Sequence, residues 1–235
     1  MGTTEEKIYS LVKDKNPGNP LAYVRDIVRP LSMEKLTQCM KNCNDCEIGN
    51  GVRSLPYGSY NASILIIRDY IPKEDLNKDY VSPYNEVIAN EFERYGIDKN
   101  QLLWMNAVNC CPHEVIGKRV CARIPNKNEL RNCKVFVDFA IQSFAPVFIL
   151  LMGTTALSMF IDSGMNEMHG HIVSIHGIPT IPVYSPEYLE LTKEKMPDSY
   201  PIYQRVFEED IERAVSFLKT EYPVLFTLNK KESVL

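Results

Sequence analysis

Seven cysteines in a chain of 235 residues are the first side chains whose type and spacing suggest chemistry. Cys43-Asn-Asp-Cys46 is a C-x2-C pair preceded by Cys39, Cys110 and Cys111 are adjacent, and Cys121 and Cys133 stand alone. An odd number of thiols cannot pair completely, and a reducing compartment disfavours a disulfide framework, so ligation of a metal or cluster is the first expectation. A C-x2-C turn offers two thiolates to one centre, and two more must arrive from elsewhere in the fold. The second C-x2-C that marks a structural zinc ribbon is absent. One local pair plus two distant singles suits a [4Fe–4S] cluster, with zinc and buried structural thiols as the alternatives.

The elements that must position these thiols are legible from periodicity. Residues 1–35 mix helical spacing (Ile8, Leu11, Val12) with a breaker run from Lys15 to Pro20 and read as an N-terminal helical extension. Residues 39–62, rich in Cys, Asn and Gly, read as an irregular loop. Beyond them strands are predicted at Ser63–Ile67, Leu102–Val108, Val147–Met152 and Thr180–Tyr184. Helices are predicted at Asn85–Tyr95, Lys127–Phe144, Thr154–Ile161 and Tyr203–Tyr222. Strands separated by helix-length crossovers imply a three-layer α/β/α domain around a mostly parallel four-stranded sheet. Its ligand site is expected beyond the carboxyl ends of the strands, at Arg68–Asp69, Asn106–Cys110, Gly153–Thr155 and Tyr184–Pro186. The expected organisation is an extension over 1–35, one domain over 36–222 and a tail over 223–235.

Composition narrows the class. With 45% hydrophobic residues the chain is not predominantly disordered, and no apolar run reaches the roughly 20 residues of a bilayer span. The opening residues lack the order of a secretory signal, so a cytoplasmic protein of bacterial, archaeal or phage origin is expected. A net charge of −4 gives no global reason to expect a nucleic-acid partner. Locally, however, Lys118, Arg119, Arg123, Lys127, Arg131 and Lys134 cluster against only Glu129.

Five segments in order carry a family resemblance. They are Cys43-x2-Cys46-x6-Arg53 with Pro56-x-Gly58, Trp104-Met-Asn106-Ala-Val-Asn-Cys110-Cys-Pro112, Arg123-Ile-Pro125-x3-Glu129-x3-Cys133, the run from Ala145 to Gly153-Thr-Thr-Ala156, and the run from Gly177 to Tyr-Ser185-Pro-Glu-Tyr-Leu189. Together, over about residues 36–220, the chain resembles the iron–sulfur uracil-DNA glycosylases of the family-four type. The resemblance implies a uracil-DNA glycosylase-like fold and a structural [4Fe–4S] cluster on Cys43, Cys46, Cys110 and Cys133. Cys111 falls where the family has Arg and is the spare. It also implies hydrolysis of the N-glycosidic bond of uracil or a related modified base. The alternative is a catalytically weak or inactive protein of the same fold that binds DNA or a protein, for example in replication.

Glycosidic cleavage leaves positive charge on the sugar and negative charge on the departing base, so the site needs an acceptor to position water and donors for the base carbonyls. By the resemblance Asp69 is the catalytic carboxylate, and Asn106, whose amide both donates and accepts, reads the base edge. Tyr80 lies near the family's stacking Phe, with Tyr84 competing, and Ser185 stands where the family keeps a His that meets the leaving group. Arg68 replaces the family's first loop glycine, and losing that glycine is expected to reshape or obstruct the base pocket. Arg119, Arg123 and Lys127 are the expected phosphate contacts, DNA is the expected partner, and a replication or repair protein is a further one.

Overall fold

The computed structural model describes residues 29–50, 52–72 and 82–226; most of the expected N-terminal extension and much of the expected tail lie outside these. Helix α1 (Arg29–Lys41) runs through residue 35, so no break separates an extension from a domain at that point. The loop expected over 39–62 contains the end of that helix, a 3-10 turn at Glu47–Asn50 and a two-residue strand, β1 (Tyr57–Gly58).

Four strands then form the parallel centre: β2 (Ile64–Tyr70), β3 (Leu102–Val108), β6 (Phe148–Met152) and β8 (Ile178–Val183). The sheet is six-stranded rather than four-stranded, in the order β1-β3-β2-β6-β8-β7. Its two edges are short antiparallel additions, β1 beside β3 and β7 (Val173–Ile175) beside β8. Strands of two and three residues carry too little alternation to stand out in a sequence. Gly58 makes the first edge feasible, since at φ +106° a Cβ there would lie 2.4 Å from the Leu102 carbonyl oxygen.

Alternation along the central strands divides the apolar residues between two layers. Leu65, Ile67, Leu103, Met105, Ile149 and Leu151 face α1, α3 (Lys127–Phe144) and the short α4 (Thr154–Ser158). Ile64, Ile66, Leu102, Trp104, Leu150 and Met152 face α2 (Tyr84–Arg94) and the C-terminal helix, α7 (Tyr200–Glu221). The result is the three-layer α/β/α architecture.

The chain steps from β2 outward to β3 and then back past β2 to β6, so the strand order reverses beside β2. In such sheets the crevice at the carboxyl ends beside the reversal is where ligands bind. Two further helices complete the described chain: α5 (Met165–Met168), between α4 and β7, and α6 (Pro186–Lys195), between β8 and α7. The basic segment between β3 and α3 is a separate hairpin, β4 (His113–Ile116) and β5 (Arg119–Ala122), turning at Gly117. At the far end, Leu225 of the Pro223–Phe226 turn packs into the α2/α7 layer. Among the described residues no helix is long and apolar enough to cross a membrane.

Candidate functional site

Two polar centres occupy this end of the sheet, one in each layer. The first is the cysteine corner. Its geometry starts at α3, whose first turn closes in a capping box: the Asn126 side chain accepts from the Asn128 and Glu129 N–H groups, both at 2.9 Å, and Glu129 accepts from the Asn126 N–H at 2.8 Å. Arg123 donates twice to the Glu129 carboxylate, at 2.8 and 2.6 Å. Glu129 and Cys133 lie one helical turn apart on the buried face, so the capped and paired glutamate fixes the helix that presents Cys133.

Around Cys133 the other thiols assemble. Cys110 and Cys133 are buried, Cys43 and Cys46 half-buried. Burial pushes the Cys110 thiol up to about 11, and the charges of Cys43 and Cys46 are close enough to raise it further, against the nearby Arg53. Burial pushes Cys133 up to about 12, again with contributions from Cys110, Cys46 and Cys43, while the Asn109 N–H stabilises its thiolate. Arg53 donates to the Cys43 carbonyl at 2.7 Å, and Asn132 donates to the Asp45 carbonyl at 3.0 Å and to the Cys46 sulfur at 3.4 Å, tying the C-x2-C turn to α3.

Cys111 points elsewhere, into a small cluster with Ile71 and Val52. Among the described residues no three Cys, His, Asp or Glu side chains converge on a point that would hold one metal ion. A [4Fe–4S] cluster takes each thiolate on a different iron, so its ligands surround a volume rather than a point. Four neighbouring thiols, two of them buried and unfavourable as free thiolates, fit that donor set. The side chain of Asn109, beside Cys110, adds to the fit, because both its amide atoms are buried without a partner among the described residues.

The second centre lies in the other layer. Arg68 and Asn106 are direct neighbours across β2 and β3. Both are buried, and both line a cavity of ≈ 10 Å³ with Ser54, Tyr57, Asn85 and Trp104. That is room for about one water molecule and far too little for a nucleobase. The Arg68 guanidinium reaches Asn85 of α2 at 3.0 Å and forms an ion pair with Glu187 of α6. The Asn106 amide nitrogen is buried with no partner among the described residues. The cavity shares Tyr57, Ser82, Asn85 and Trp104 with a wider groove of ≈ 580 Å³.

Asp69, next in sequence, points into the opposite layer. Its carboxyl accepts from the Ala156 N–H at 2.9 Å and also from Thr155, at the start of α4. Gly153 permits this approach, since a Cβ there would lie 2.2 Å from the Asp69 carboxylate. Desolvation raises the Asp69 pKa to about 6 despite the two N–H donors and the nearby Arg68 charge.

The other expected site residues fall as follows. Ser185 is the N-cap of α6, its hydroxyl accepting from the Tyr188 N–H at 3.2 Å, which gives it a structural duty at the position of the family His. Tyr80 lies outside the described residues. Arg119 and Lys127 are exposed, on the hairpin and on the first turn of α3, whereas Arg123 is engaged with Glu129. Sequence reasoning missed Glu187 and Asn85. Glu187 lies within a matched motif, but nothing local marks it as the partner of Arg68, 119 residues away.

A parallel sheet with buried polar residues at the carboxyl ends beside its reversal is a ligand-binding α/β domain. Residues 56–209 match the uracil DNA glycosylase superfamily, and the chain belongs to that superfamily. It is similar to the type-4 uracil-DNA glycosylase of Thermotoga maritima, with 25% identity over 199 residues that cover 80% of this chain and 96% of that protein.

Proposed function

We propose that the protein is a DNA glycosylase that hydrolyses the N-glycosidic bond of uracil or a related modified base and leaves an abasic site. The observation that carries this reading is the Asn106 amide. It is buried at the end of β3, its N–H2 group lacks a partner among the described residues, and it lines a cavity that shares Tyr57, Ser82, Asn85 and Trp104 with a groove between β1, α2 and the Lys99–Gln101 turn. A buried amide without a partner is a costly arrangement that a bound base would relieve. Asp69, on the neighbouring strand end, supplies the carboxylate that orients water and offsets positive charge on the sugar.

Cys43, Cys46, Cys110 and Cys133 would hold a [4Fe–4S] cluster, which supplies structural cross-linking of the C-x2-C turn, the end of β3 and α3. The exposed β4–β5 hairpin continues from that corner and carries Lys118 and Arg119, with Lys127 behind it on α3. These three are the proposed phosphate contacts, and Arg123 orders the base of the hairpin through Glu129. DNA is the proposed substrate polymer.

A second reading, a glycosylase fold kept for DNA or protein binding with catalysis weakened, is favoured by one observation: Arg68 and its partners leave almost no space in the cavity. Incubation with oligonucleotides carrying uracil or 5-substituted uracils, followed by alkaline cleavage of abasic sites, separates the two. Cleavage that disappears in Asp69→Asn and Asn106→Ala is the expected result. No cleavage above those variants on any base of the panel would leave the binding reading in its place.

A further inference from the structure

Arg68 is a buried cation on a strand end that faces the base cavity. Buried cations are retained only with satisfied partners, and here these come from two separate elements. Asn85 lies at the first turn of α2 and Glu187 at the first turn of α6. The guanidinium therefore ties α2, whose Asn85 lines the cavity, to α6, beside the Asn106 amide. A neutral base entering beside Asn106 must displace this side chain, and displacement strands the Glu187 carboxylate and the guanidinium together. Plain uracil brings no charge to compensate either group.

We propose that Arg68 is a specificity-determining residue: locked to Glu187 and Asn85, it fills the base cavity and keeps unsubstituted uracil from reaching Asn106. The inference rests on the glycosylase reading for the identity of the cavity, and it narrows that reading to bases able to open the Arg68–Glu187 pair. Glu187 is a positioning residue, because it acts through Arg68.

Trp104 supplies a direct readout. It is the single tryptophan of the chain, and it lines the cavity. Base entry can therefore be followed by selectively excited Trp104 emission, independently of any cleavage. The holoprotein and its Arg68→Gly and Glu187→Gln variants are titrated with free uracil, after circular dichroism and thermal melting have established that each variant is folded. The expected result is no saturable response in the wild type up to the solubility of uracil. Arg68→Gly should give a saturable response with apparent affinity at least about tenfold tighter, and Glu187→Gln an intermediate one.

Saturation of the wild type as tight as that of Arg68→Gly would overturn the proposal. So would silence of every folded variant, and the Glu187→Gln titration decides if Arg68→Gly does not fold. Failure of the wild type on the oligonucleotide panel bears on the glycosylase reading alone, because uracil entry is read here without catalysis.

Discussion

The cysteine corner and the base cavity lie on opposite sides of the same strand ends, yet they relate differently to the family pattern. In the corner, each expected ligand is present, and the residues that hold them (Arg123, Asn126, Glu129, Asn132) form a closed set of caps and pairs. In the cavity, Asn106 is the proposed reader of the base, while by the resemblance Arg68 and Ser185 stand where the family has Gly and His. Both residues are tied into the structure: Arg68 reaches Asn85 of α2 and Glu187 of α6, and Ser185 caps a helix. The proposed role of the corner is structural, and the proposed role of the cavity is to select what binds.

The sharpest way to break this contrast is through the thiols. Cys110→Ser should abolish the broad visible absorbance of an iron–sulfur protein and cost on the order of 10 kcal/mol of folding free energy, the scale of a structural metal centre. Cys111→Ser, one residue away, should keep the colour and the melting temperature. Equal losses in the two variants, measured by absorbance and thermal melting, would erase the distinction between ligand and spare.

The next largest effect concerns Asp69. Its carboxyl must be ionised to orient water, and its pKa is raised to about 6, so cleavage should fall as pH drops through about 6. Asp69→Asn should lower the rate about 100-fold and remove that acid limb. Stability runs the other way. The folded chain holds this proton more tightly than the unfolded chain, whose value is near the ordinary 3.8, so this group favours the fold most at low pH and loses that contribution as pH rises from about 4 through 6. Thermal melts of wild type and Asp69→Asn across this range check the sign.

The smallest effect tests whether Ser185 is only a cap. Ser185→Ala should cost about 1 kcal/mol, and Ser185→Asp, which can also cap, should restore it. A rate loss in Ser185→Asp with stability restored would return the residue to the reacting centre.

Much of the frame was legible in the sequence. The strand at Leu102–Val108 and the helix at Lys127–Phe144 were expected at those bounds, because an apolar run marks the first and an amphipathic stretch stopped by Pro146 the second. The β4–β5 hairpin was not, although Gly117-Lys118 between Val115-Ile116 and Arg119-Val120 carries the composition of a tight turn between strands. Its basic residues drew attention to charge and away from alternation. The four thiols were singled out through their motifs, which encode local geometry. The Arg68–Glu187 pair was not found, because it joins β2 to α6 and neither residue carries a local signature of the other.

Arg68 and Asp69 are consecutive, and the pleat of β2 sends them to opposite layers. The proposed specificity residue therefore sits one peptide bond from the proposed catalytic acid, with its side chain in the other layer. Mutation can explore new base preferences at position 68 while the acid stays in its setting of Gly153 and the α4 amides. A one-residue shift of β2 against β3 would exchange the two side chains between layers. Strand register thus keeps selection on specificity separate from selection on chemistry.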